Sequence, residues 1–160
     1  MGNYKEDQNF QKQALDMRKK LLDEEHTDVA SSLNNVGTTY IKLGDYEKAL
    51  KYLTQALDIR RKCLGDVHPD VATSLNNVGT TYVKLVNYEK ALKYLTQALD
   101  IRKKCLGDVH PDVASSLDWV GEAYRELGNH KEALNYQKQA LGMRKKIQSD
   151  EHHEVGSCLN

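Results

Sequence analysis

Apolar residues recur along the chain at alternating steps of three and four, most clearly between residues 68 and 109. In the first half of this stretch they are Val71, Leu75, Val78, Tyr82 and Leu85. In the second half they are Ala91, Leu92, Leu95, Ala98, Leu99 and Ile101. This spacing places side chains on one face of an α-helix, and no segment alternates with a period of two. The pattern therefore predicts two amphipathic helices and no strand.

Residues that start and stop helices stand at the ends of both predicted helices. Pro69 and Asp70 suit the first turn of a helix, because proline is tolerated there and an acidic residue interacts favourably with the helix dipole. Asn87 can cap the second helix, and Gly107 can end it in a left-handed conformation. The unit is therefore predicted to fold as helix A, a tight turn, helix B from about residue 88, and a short loop.

The same 42-residue pattern is repeated along the chain. Residues 26–67 differ from residues 68–109 at six positions, and residues 110–151 keep the frame with more changes. Residues 2–25 match the second half of a unit, and residues 152–160 match the start of helix A. A fixed period of this length indicates stacked units that bury their apolar faces against their neighbours. We therefore predict one array with seven helices and a partial eighth, as a piece of a longer array.

Small and aromatic residues recur at fixed positions of the unit. One small residue lies within each helix A and one early in each helix B: Gly37, Gly79 and Gly121, and Ala49, Ala91 and Ala133. A glycine inside a helix costs about 1 kcal/mol relative to alanine, which favours a role in close helix packing. The alternative is that duplication copied a tolerated residue. The nine tyrosines occupy three positions of the unit, which favours packing over a stacking surface for bases.

The motifs of the unit resemble those of tetratricopeptide repeats. They are Ser-Leu-Asn-Asn-Val-Gly-Thr-Thr-Tyr at residues 74–82, Tyr-Glu-Lys-Ala-Leu at residues 88–92, and Gln-Ala-Leu at residues 97–99. The usual unit has about 34 residues, and the longer unit here is similar to the variant of kinesin light chains and nephrocystin-like arrays. The resemblance covers residues 2–160. It implies an all-α fold, a right-handed α-solenoid of stacked antiparallel helix pairs with helices A on the concave side.

The chain departs from its own repeat inside two units. Val86 replaces the glycine that other units have in the turn between helix A and helix B. A β-branched residue is poorly suited to positive φ, so we expect either a remodelled turn or a strained Asn87. In the third unit, Asp118 and Trp119 replace a pair of asparagines.

By this resemblance, the concave groove is the candidate binding site. With two arginines from helices B, its residues are Asn34, Asn35, Thr38, Lys42, Arg60, Asn76, Asn77, Thr80, Lys84, Arg102, Asp118, Trp119, Glu122 and Arg125. The four-residue spacing of Asn34, Thr38 and Lys42 independently predicts one polar stripe. Asparagine can donate to and accept from a peptide backbone, and equivalent asparagines hold cargo peptides in kinesin light chains. The alternative is a solvated helix face.

Charge along the groove suggests what a ligand would look like. The first two units offer asparagine, threonine and lysine, whereas the third offers Asp118, Glu122 and Glu126. We expect acidic ligand residues at the first two units and a basic or apolar residue near Trp119. The arginine near the end of each helix B either pairs with a ligand carboxylate or is a cation that stabilises the helix C-terminus.

Composition argues against other classes of function. The 23 Lys and Arg residues balance the 23 Asp and Glu residues, so we expect no nucleic-acid partner and no membrane partner. Three widely spaced cysteines, expected to behave as small hydrophobes, and the absence of a secretory signal suggest a cytoplasmic protein. The histidines that share a repeat position lie too far apart to share a metal ion. With no catalytic motif present, we expect no enzyme activity, no metal and no cofactor.

The sequence therefore favours a non-enzymatic protein–protein interaction module that binds a peptide or partner segment in the groove. The alternative is a structural spacer or an oligomerising array within a larger scaffold or sensor protein. Because both ends stop inside a unit, we also expect head-to-tail self-association through the open repeat ends.

Overall fold

Seven α-helices make up the array in the computed structural model, which describes residues 4–157, with side chains for residues 6–149. They are α1 (Tyr4–Leu21), α2 (Thr27–Lys42), α3 (Tyr46–Leu64), α4 (Pro69–Lys84), α5 (Tyr88–Leu106), α6 (Pro111–Glu126) and α7 (His130–Ser157). The even-numbered helices are helices A, and the odd-numbered helices are helices B. Residues 4–157 contain no strand, so the predicted all-α solenoid of helix pairs is confirmed.

Each helix A begins at a histidine cap. In α4, the backbone N–H of Asp70 donates to Nδ1 of His68 over 3.1 Å, and α2 and α6 repeat this contact. The bond satisfies one of the N–H groups that a helix start leaves unpaired. His26, His68 and His110 therefore have a structural role at the starts of these helices.

The ends of helix B follow the predicted signals. The side chain of Asn87 accepts the backbone N–H of Lys90 over 3.2 Å, and the capping residues of α3 and α7 do the same. Helices α3 and α5 end at Gly65 and Gly107, with φ of 79° and 82°. Glycine adopts a positive φ without the steric cost that a side chain incurs, and both helices end at a glycine as predicted. Their ψ values of 170° and 173° are extended, so the left-handed helical conformation predicted for these caps was wrong.

Val86 itself occupies the left-handed conformation, with φ of 59°. Both sequence expectations for this turn were therefore wrong. Asn87 has φ of −109°, and its backbone N–H donates to the Tyr82 carbonyl over 3.0 Å, as in the glycine-containing turns. Because these bonds and the cap of α5 keep the turn unchanged, the strain falls on Val86, whose side chain is exposed.

An apolar core runs through the stacked helices. Val78 and Leu95 are fully buried, and a Cβ added to Gly79 would lie 2.7 Å from Cγ of Leu95. Tyr82 stacks on Tyr94 with ring centroids 5.5 Å apart, and both other complete units repeat the pair. The predicted packing roles of the helix A glycines and of these tyrosines are confirmed.

Helix α7 is continuous from His130 to Ser157, so the predicted partial eighth helix does not form as a separate element. In the inner units, a glycine ends helix B and a proline opens the next helix A. Ser149 stands at the glycine position here, and His153 stands at the proline position. Without these two residues the chain lacks the local signals that would end the helix.

Cys63 and Cys105 are free and exposed, with Sγ of Cys63 donating to the backbone carbonyl of Glu25. The expectation that the cysteines behave as small hydrophobes was therefore wrong for these two exposed residues. Cys158 lies outside the described residues.

We predict that Val86→Gly stabilises the protein by about 0.5–1 kcal/mol. Glycine relieves a left-handed conformation that costs other residues roughly 1–2 kcal/mol, and it gives up part of this gain in chain entropy. Urea unfolding would measure the change. The converse variant Gly44→Val, at the same position of the first unit, should destabilise the protein. If Val86→Gly destabilises as much as Gly44→Val, then Val86 is not strained.

Candidate peptide-binding groove

Helices A form the inner side of the curved array. Neighbouring even-numbered helices approach within 8 Å between Cα atoms, whereas neighbouring odd-numbered helices do not do so anywhere in residues 4–157. The groove residues predicted on α2, α4 and α6 are all partly or largely exposed. Their side chains are therefore accessible to a ligand on that side.

Asparagines link the first two units across the groove. Nδ2 of Asn77 donates to Oδ1 of Asn34 over 2.9 Å. The neighbouring Oδ1 of Asn76 is buried and has no hydrogen-bond partner among the described residues. A buried acceptor left unpaired costs about 1–3 kcal/mol. Since less than 1 Å² of this atom is accessible, a ligand donor would reach it only after the Asn76 side chain turns outward. The asparagines thus offer a polar strip with one unused acceptor.

A cleft of about 450 Å³ lies between α4 and α6. Its lining residues are Lys84, Ser115, Asp118, Trp119 and Glu122. Trp119 is partly exposed and stands where the first two units have Asn35 and Asn77. The structure thus brings three other predicted groove residues, Lys84, Asp118 and Glu122, together around the Trp119 ring.

The carboxylates of the third unit already have arginine partners. Asp118 pairs with Arg144 of α7, and Arg125 pairs with Glu122 and Glu126. The bond to Asp118 raises the pKa of the Arg144 guanidinium above its usual value. The negative charge that the sequence predicts for the third unit of the groove is therefore largely neutralised by arginines within the protein. A cationic ligand would compete with two guanidinium groups.

Arg60 and Arg102 are buried between neighbouring units. Nη1 of Arg60 donates to Oγ of Ser74 over 2.8 Å and to the carbonyl of Asp70 over 3.2 Å, and Arg102 repeats both contacts one unit later. Burial lowers the pKa of both guanidinium groups. These arginines join helix B to the next helix A, a contact that neither sequence alternative included. Little of either side chain is left exposed to a ligand.

The signal for this contact is present in the sequence. In three successive units, a serine follows the arginine by 14 residues: Arg18 and Ser32, Arg60 and Ser74, Arg102 and Ser116. Cys158 occupies the serine position after Arg144. The guanidinium of Arg144 bonds to Asp118, so α7 contributes a positive charge to one end of the groove.

Across the described residues, no three His, Cys, Asp or Glu side chains are grouped so that they could hold a metal ion. None of the helices there has both the length and the apolar character needed to cross a membrane.

Comparison with known proteins identifies the repeat. A family model for the tetratricopeptide repeat matches residues 1–62, 28–104 and 70–146. The chain belongs to the tetratricopeptide repeat family. No curated protein sequence matches this tetratricopeptide repeat array.

Solved structures support the kinesin-light-chain-like type. BtubC (BKLC) from P. vanneervenii has a TM-score of 0.85 at 25% identity, over 92% of this chain and 59% of that one. The TPR-like repeats of a putative kinesin light chain from Podospora anserina give 0.78 at 25% identity, over 92% and 70%. Apo RapI has a TM-score of 0.78 at 24% identity, over 91% of this chain and 51% of that one, and is similar in fold alone. The chain thus spans little more than half the length of BtubC.

We predict that Arg102→Met lowers the free energy of unfolding by about 1–3 kcal/mol, because Ser116 and the Asp112 carbonyl lose their buried donor. Lys104→Met, an exposed change on the same helix, should stay within about 0.5 kcal/mol. Urea titrations of both variants would measure this difference. Equal losses would show that Arg102 has no special role between the units.

Proposed function

We propose that this array is a non-enzymatic module that binds a peptide or partner segment along the inner faces of α2, α4 and α6. The observation that most supports this is the cleft at Trp119, where an aromatic ring lies open in a groove that is otherwise polar. Stacked repeats commonly use such an extended inner surface for binding. The free thiols of Cys63 and Cys105 are consistent with a cytoplasmic setting.

The asparagine strip would hold the peptide backbone. An extended peptide presents an N–H group at almost every residue, and Oδ1 of Asn76 would accept one of them once its side chain turns towards the groove. Asn34 and Asn77 already bond to each other, so they keep the strip in place without a ligand. The similarity to kinesin light chains supports the same use of these amides.

Side-chain preference would come from Lys84 and Trp119. Lys84 lines the cleft and would attract an acidic residue of the peptide. Tryptophan is enriched among residues that contribute most to interfaces, and its exposed ring would pack against an apolar side chain. Since Asp118 and Glu122 are paired with arginines, an apolar residue is favoured over a basic one at this end.

We predict that Lys84→Glu weakens the binding of a peptide selected from a random library by roughly tenfold, which corresponds to a loss of about 1.4 kcal/mol. Trp119 is the sole tryptophan, so its fluorescence would report binding directly. Lys93→Glu makes the same charge change at an exposed position of α5 and should leave affinity unchanged. Binding to the unmodified array should weaken with added salt, because exposed charges are screened over ~10 Å at 0.1 M.

Two outcomes would contradict this proposal. One is that no library peptide binds, and the other is that Lys84→Glu and Lys93→Glu bind the selected peptide equally well. Either result would favour the alternative function as a structural spacer within a larger protein.

The exposed face of α7 supports self-association as a second function. Leu141 is 54% exposed, whereas Leu99 at the same position of α5 is only 4% exposed beneath the next helix A. At the other end, Phe10 and Leu21 on α1 are 70% and 78% exposed. A contact between the two ends of different copies would be head-to-tail, and such contacts need not close into a ring.

We predict that light scattering shows self-association that grows with protein concentration. Leu141→Lys should suppress it by placing a charge in the apolar contact, whereas Asn135→Lys, another exposed change on α7, should not. A monomer at high concentration would contradict head-to-tail assembly, as would equal effects of the two variants.

A further inference from the structure

A second cleft, of about 370 Å³, lies between the C-terminal part of α5, the middle of α7 and the loop before α6. Its apolar lining includes Val109, Leu117 and Met143, and Lys103 and Lys146 flank it. It shares no residue with the cleft at Trp119. The two clefts are therefore separate sites built on the same unit.

The equivalent places in the other units are obstructed or acidic. In the second unit, Nη2 of Arg61 donates to Oε1 of Gln97 over 3.2 Å, and Nε lies 3.5 Å from Oδ1 of Asp66, so the guanidinium spans the space. In the first unit the cleft measures about 270 Å³. There, Lys62 forms an ion pair with Glu25, one of its lining residues. Among the residues whose side chains are described, the third unit is the one that combines an open cleft with lysines that form no such contact.

Gly142 distinguishes the third-unit cleft most clearly, because the other two units carry aspartate at its position. Without an aspartate at position 142, Asp108 is the one acidic residue that lines the cleft among the described side chains, against Lys103 and Lys146. Among the residues whose side chains are described, neither lysine forms an ion pair. A Cβ at Gly142 would meet nothing within 4 Å, so packing does not require glycine there.

We propose that this cleft binds an acidic peptide segment in which carboxylates flank one apolar side chain. The apolar side chain would cover Val109 and Met143, and this burial removes apolar surface from water. The flanking carboxylates would pair with Lys103 and Lys146. A volume of about 370 Å³ is sufficient for one large side chain and its neighbours, since ligand sites measure roughly 300–1,000 Å³.

Both parts of this ligand follow from the lining. Lysines on an otherwise polar surface would accept any anion, but the exposed Val109 gains from contact only with an apolar group. An apolar ligand without charge would leave the two lysines unused. The combination of an apolar floor with flanking lysines therefore selects a ligand that is apolar at its centre and acidic at its edges.

The test uses methyl NMR on the full chain labelled at methionine, with N-acetyl-Glu-Leu-Glu-amide as the probe. The Met143 methyl resonance should shift saturably, whereas that of Met17, at the same repeat position in α1, should not.

Gly142→Asp restores the carboxylate of the other units and should weaken binding by roughly fivefold or more. Gly142→Ala, the matched control, adds a side chain without charge and should retain binding. The uncharged peptide N-acetyl-Gln-Leu-Gln-amide should bind to the unmodified chain no more tightly than the probe binds to the Gly142→Asp variant.

Three results would overturn this proposal. They are an unmoved Met143 methyl, equal affinities of Gly142→Asp and Gly142→Ala, and equal shifts with the glutamine peptide. Trp119 fluorescence should stay constant during the titration. A fluorescence change with the same midpoint as the Met143 shift would place the probe in the groove and also contradict a separate site.

Discussion

The structure depends on the close approach of a helix B leucine to the glycine backbone of helix A. A Cβ added to Gly37 or Gly79 would lie 2.6 or 2.7 Å from the leucine Cγ, which is too close for any side chain. The glycine costs about 1 kcal/mol of helix propensity, whereas burying one leucine contributes about 1.5–3 kcal/mol. Stacked tyrosines and buried arginines then hold the helix pairs and the units together. The positions of the groove residues in the first two units follow from this packing.

The third unit keeps the glycine but changes what lies against it. Gln137 replaces the leucine, and a Cβ on Gly121 would lie 3.3 Å from its nearest neighbours. The same unit carries Trp119 in the groove and Gly142 at the second cleft, so both candidate sites lie where the repeat has diverged most. The two nearly identical units supply a regular scaffold, and the third supplies most of the distinctive side-chain chemistry.

Much of the fold could be predicted because its signals are local. The spacing of Val71, Leu75 and Val78, the cap at Asn87 and the glycine at Gly107 each act within a turn or two of helix. The conformation of Val86 was not predictable in this way, since the turn is held by hydrogen bonds and by helices on both sides. The extension of α7 was predictable in principle from Ser149 and His153, which replace both stop signals.

The candidate groove could be predicted less completely. Periodicity identifies which residues share a helix face, whereas the groove positions near Trp119 were predicted from the resemblance to tetratricopeptide repeats. Periodicity does not reveal which charges pair between helices, because that depends on how α7 packs against α6. Arg144 therefore changes the character of Asp118 in a way that the sequence charges did not indicate. The buried contacts of Arg60 and Arg102 likewise depend on distances between units.

A crystal structure of the array with a library-selected peptide tests peptide capture in the groove most directly. We expect the peptide to lie along α4 and α6, with an apolar side chain within about 4 Å of the Trp119 ring and a backbone N–H bonded to Oδ1 of Asn76. A peptide bound along the odd-numbered helices, with the Trp119 cleft empty, would contradict the proposed groove.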